Sequence, residues 1–159
     1  GEPESALKQL ERALAQPTWA DGQRRGCILA VLARIAAMNG WLERAASALA
    51  EVEAAPELCA SRACVAELGR ARAELAWARG DLAEAERCLR SCVADWLDIG
   101  APLHAADVRL RLCELLRVSD SMAAELELSS AEAAFRRVDA QPLLRRCDSL
   151  RAALTAQRA

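Results

Sequence analysis

The chain has 159 residues, of which 53% are hydrophobic, 3% aromatic and 28% charged, with a formal net charge of −2. It holds 37 Ala and 24 Leu against 7 Val, 3 Ile and 2 Thr, so good helix formers crowd out strand formers and a sheet protein is excluded. The near-neutral charge removes any overall basic field for nucleic acid or an acidic membrane surface. Seven cysteines, an odd number without a C-x-x-C pair, fit reduced thiols in a cytoplasmic protein better than a secreted disulfide scaffold. No apolar run approaches the ~20 residues that span a bilayer, and without a charged start and apolar stretch at its beginning no signal peptide is expected.

Four segments align along the chain, beginning at Gly1, Gly40, Gly80 and Ser119, so the period is 39–40 residues. Five residues after each start lies Ala6, Ala45, Ala85 or Ala124. Nine residues after lies Leu10, Leu49, Leu89 or Leu128, and twelve after lies Ala13, Val52, Cys92 or Ala131. Steps of four and three trace one stripe of a helix, with small residues flanking a Leu so that another helix can approach. Gly40 and Gly80 follow apolar stretches and suit the left-handed residue past a helix end. Asp81 and Asp120 suit caps of the helices that follow.

Each unit therefore reads as a first helix, a tight turn and a second helix bearing the stripe. The units fall near 1–17, 18–55, 56–101 and 102–141, within one domain spanning 1–159. First helices are expected over 18–39, 56–79 and 102–118, and a closing helix over 142–155. Thr18 with Asp21 forms a capping-box pattern with Asp in place of Glu. Pro17, Pro56, Pro102 and Pro142 mark the joints, where proline is tolerated at a helix start. Gly1 falls on a turn position without its preceding helix, so the chain is expected to be a piece of a longer array.

The combinations Gly1/Ala6/Leu10/Ala13 and Gly40/Ala45/Leu49/Val52 resemble the tetratricopeptide repeat. The period is longer than that family's, and Leu29, Leu32 and Ala36 stand where its first-helix signature has Trp, Leu and Tyr. A longer, degenerate period is similar to the helical repeats of bacterial LuxR-type regulators of the MalT kind. The stretches 96–102, 124–128 and 135–140 look like the last repeats of such proteins, and also like helical regions beside nucleotide cyclase domains. The resemblance implies an all-α fold: a right-handed superhelix, or α-solenoid, of antiparallel two-helix repeats with the first helices lining its concave side. It implies flanking domains in a parent protein, and a protein, peptide or small-effector partner held on the concave face. Transferred position by position, that face would carry Arg34, Glu67, Arg70, Glu74, Trp77, Arg109, Cys113 and Arg117.

Little in the sequence points to catalysis. His104 is the only histidine, which removes a two-His metal site, and no phosphate-binding loop is present. Cys88 and Cys92 share a helix face, but Cys92 occupies a stripe position and reads as core filler. Cys59 and Cys64 are five apart and poorly aligned as ligands. His104 with Asp107 and Cys113 can be written as a catalytic set, but one helix would hold the three apart. The pairs Arg136–Arg137 and Arg145–Arg146 have acidic neighbours and almost no aromatics, so direct nucleic-acid contact is not expected. The expectation is a non-catalytic sensor or interaction domain without metal or cofactor. Its rivals are a stand-alone scaffold and an enzyme using its cysteines.

Overall fold

A computed structural model of the chain describes residues 2–16 and 22–158. Among them are eight α-helices: α1 (Glu2–Leu14), α2 (Gln23–Met38), α3 (Leu42–Ala54), α4 (Arg62–Ala78), α5 (Leu82–Asp98), α6 (Pro102–Leu116), α7 (Ser121–Arg136) and α8 (Gln141–Arg158). The fold is all-α, as the Ala and Leu content predicts, with helices packed in sequential antiparallel pairs. The chain divides into two compact units, Gly1–Cys88 and Leu89–Ala159. In the first, α2 packs on α1, α3 and α4, and α3 also meets α4. In the second, α7 packs on both α6 and α8.

The expected stripe is the buried side of its helices. In the first unit Ala45, Leu49, Val52 and Ala85 are buried, and in the second Leu89, Cys92, Ala124, Leu128 and Ala131 are. The exception is α1, where Ala6, Leu10 and Ala13 are only half-buried and Leu7 fills the core instead. The neighbour of α1 is α2, so one side of the helix carries most of its packing.

Turn chemistry explains the sharp reversals. Gly40 and Gly80 take φ of 78° and 84°, as expected from the sequence. Each ends its helix with paired bonds to orphan carbonyls: Gly40 N–H to Ala37 and Trp41 N–H to Ala36, Gly80 N–H to Trp77 and Asp81 N–H to Ala76. The same ending recurs at Gly100 (φ 74°) and at Asp139 (φ 53°), where aspartate tolerates the left-handed region. Asp81 and Asp120 cap α5 and α7, accepting the N–H of Glu84 at 3.1 Å and of Ala123 at 2.9 Å.

Two helix boundaries differ from expectation. Residues 56–79 do not form one helix: Pro56 opens a short 3-10 helix, Pro56–Cys59, and α4 starts afresh at Arg62. The break has a local cause. Ser61 is extended, and its hydroxyl accepts the Cys64 N–H, capping a new helix. The closing helix runs to Arg158, beyond the expected 155. Pro17 and the Thr18–Asp21 pattern lie outside the described residues, as does the start of the helix expected from residue 18.

Candidate functional site

The residues expected to line a binding face divide between the two units. In the first, Glu67, Arg70, Glu74 and Trp77 follow one another on α4 at steps of three and four, so they share a face. That face meets α2, because Arg34 on α2 donates from Nε to Glu67 Oε1 at 2.5 Å. The packing leaves Glu74 only 2% and Arg70 8% exposed, so both belong to the interior rather than to an open surface. Trp77 is half-buried.

In the second unit, Arg109 on α6 donates to Glu127 on α7 at 2.6 Å, and Arg90 approaches the other oxygen of that carboxylate at 3.7 Å. Arg109 lines a shallow groove of about 270 Å³ with Leu97, Leu112 and Glu127. Cys113 is fully buried and offers no side-chain surface. Its burial, and then the nearby Glu114 carboxylate, push the thiol up to about 11. Arg117 is exposed at the end of α6.

A larger groove, of about 440 Å³, lies where the α5–α6 turn meets the end of α7. Its walls are apolar: Pro102, Leu103, Ala134 and Val138. His104 and Arg137 supply its polar edge. Pro102 and Leu103 open α6, whose N-cap is Ala101 and therefore brings no side-chain acceptor to the first turn. Helix N-termini attract negative charge, and the Arg137 guanidinium adds a permanent cation. Beside the groove His104 stacks on buried Trp96, with ring centroids 4.4 Å apart.

Sequence reasoning passed over this groove. The sequence pattern presents His104 as a lone potential metal ligand or a member of a catalytic set, and Arg137 as half of a basic pair. The available signal was Gly100–Ala101–Pro102, a left-handed turn followed by a helix start that lacks a capping side chain. The residues that the sequence groups with His104 are occupied elsewhere: Asp107 accepts a hydrogen bond from Arg146 at 3.4 Å, and Cys113 is sealed in the core.

Cys88 and Cys92 are both buried, as core filler requires. Cys88 Sγ donates to Glu84 Oε1 at 3.3 Å, while burial and that carboxylate raise the thiol above its ordinary range. Among the described residues, no group of three or more His, Cys, Asp and Glu is placed to hold a metal ion. No helix of the described residues is long and apolar enough to cross a membrane. Comparison with protein-family models, with curated proteins and with solved structures finds no match to the chain.

Proposed function

We propose that the chain is a non-catalytic helical-repeat sensor or interaction domain, of the tetratricopeptide-like kind carried by bacterial LuxR/MalT-type regulators. In this reading its two-helix units belong to a solenoid, and its partner is a small effector or a peptide segment. The observation that carries the reading is the 440 Å³ groove of the second unit, with apolar walls and a cationic edge at Arg137. That chemistry suits a ligand with an apolar body and an acidic head, such as a medium-chain carboxylate or an acidic peptide bearing one large apolar side chain. Arg34 and Arg109 are less suited to capture it, because each already holds a carboxylate of its own unit. A ligand spanning the α6 start and the α7 end would favour one packing of these helices over another, and that population shift is the signal.

Calorimetric titration of the chain with octanoate and with short acidic peptides tests the groove. Binding is expected, with Arg137→Gln weakening it by roughly tenfold, about 1.4 kcal/mol. Equal affinity in the variant, or no heat from any probe, overturns the groove as the ligand site. The regulator assignment is tested separately, by reading the gene's coding sequence downstream of residue 159. A helix-turn-helix domain there supports it, and a nucleotide cyclase domain or a stop codon overturns it.

A further inference from the structure

Three of the four cysteines of the first unit gather in one cluster. Cys59 ends the 3-10 helix, Cys64 lies in the first turn of α4, and Cys27 lies on α2. The Cys59 and Cys64 sulfurs are 2.6 Å apart, and both thiols are free. A disulfide bond measures ~2.05 Å, so closure asks for a shift of only about half an ångström.

The approach is held from both sides. Gly26 on α2 has no Cβ, and one added there would lie 1.9 Å from the Leu58 carbonyl oxygen and 3.3 Å from Cys59 N. The absence of that atom lets the backbone before Cys64 rest directly on α2. On the other side, Ser61 caps α4 through the Cys64 N–H at 3.1 Å and fixes where that residue begins its helix. Residues 60–63, the whole link between the two sulfur carriers, are thus pinned at both ends. Cys27 completes the cluster, near enough to Cys64 to push its thiol further up, and it is more exposed than either of the pair. Burial and these two thiols hold the Cys64 proton well above the usual thiol range, so Cys64 rests as the protonated thiol.

We propose that Cys59 and Cys64 form a redox-active dithiol that closes to a disulfide on reaction with hydrogen peroxide. Cys59, the less buried of the two, attacks the peroxide as a thiolate. An S–O bond forms, the O–O bond breaks, and the departing hydroxide takes up the proton that Cys59 released, leaving as water. Cys64 then attacks the sulfenic sulfur: the S–S bond forms, the S–O bond breaks, and the hydroxyl leaves as a second water with the Cys64 proton. Two thiols are oxidised and one hydrogen peroxide is reduced. The product ties the 3-10 helix to the start of α4, at the place where both lie against α2.

The test is oxidation of the folded chain with limiting hydrogen peroxide, followed by alkylation under denaturing conditions and tryptic mapping. Cleavage after Arg62 separates the two cysteines, so the disulfide is read as a cross-linked peptide pair that has lost two hydrogens and both alkylation sites. The Cys59–Cys64 pair is expected to dominate, and prior unfolding in denaturant is expected to scatter the pairing. In Cys64→Ser, Cys59 is expected to accumulate as a sulfenic acid that a dione reagent traps. In Cys27→Ser, the pair is expected to close as in the parent chain. Dominant pairing to Cys27, or both thiols still alkylatable once the peroxide is consumed, overturns the proposal.

Discussion

Arg34 on α2 gives its Nε–H to the Glu67 carboxylate on α4, joining two helices that are not consecutive in the chain. Both side chains keep some contact with water, at 23% and 15% exposure, so solvent screens the charges and offsets much of their attraction. Arg34→Gln is therefore expected to lower stability by about 1 kcal/mol or less, and Glu67→Gln similarly. Urea melts of the two variants and of the double variant measure the coupling. A loss above ~3 kcal/mol would mean that the pair acts as a sealed buried charge pair rather than a screened one.

Leu49 and Leu89 fill the middle of the buried stripe, and Leu10 holds the matching place on the half-buried α1. Truncation of a core Leu loses its transfer energy and leaves a cavity, so Leu49→Ala and Leu89→Ala are each expected to cost ~2–5 kcal/mol. Leu10→Ala is expected to cost about half as much, since part of its surface is already wet. Equal costs for all three would show that α1 is covered as fully as its repeat counterparts.

The repeat was legible because its signal is periodic. Ala, Leu and a small residue recur at fixed offsets from four turns and are buried in three of the four helices that carry them, and Gly40, Gly80, Asp81 and Asp120 act through strictly local backbone chemistry. The break before α4 was not legible, because Pro56 and Ser61 can each open a helix, and the sequence alone does not say that Ser61 caps a second one. The binding face was mapped by register alone. Register places Arg70, Glu74 and Cys113 on the expected side of their helices but cannot say that another helix covers that side. The groove by His104 and Arg137 brings together side chains 33 positions apart in sequence, and no local pattern encodes that meeting.

Two glycines of the first unit give opposite predictions for the same substitution. Gly69 lies inside α4 with nothing within 4 Å of an added Cβ. Gly69→Ala is expected to stabilise by up to ~1 kcal/mol, through higher helix propensity and a less disordered unfolded chain. At Gly26 the added carbon would sit 1.9 Å from a backbone oxygen, which cannot rotate away as a side chain could. Gly26→Ala is expected to cost ~2 kcal/mol or more, by forcing the 3-10 helix off α2. Thermal melts that moved in the same direction for both variants would contradict the close backbone contact at Leu58.

Buried thiols make the fold sensitive to alkali. Burial, reinforced by Glu114, raises Cys113 from 9.0 to about 11, and burial also raises Cys64, Cys88 and Cys147. The folded chain keeps these protons longer than the unfolded chain does. Their contribution is therefore fully present below about pH 9 and is lost as pH rises from there through the folded values. For Cys113 alone the loss is on the order of 1–3 kcal/mol once that window is crossed. Urea midpoints are expected to hold from neutral pH to about pH 8.5 and then to fall steeply toward about pH 11. Cys113→Ala is expected to start from a lower midpoint but to decline less over the same interval, because one of the protons has been removed from the cycle. A parallel decline of the variant and the parent chain would show that Cys113 ionises as easily folded as unfolded, and that the core between α6 and α7 admits water.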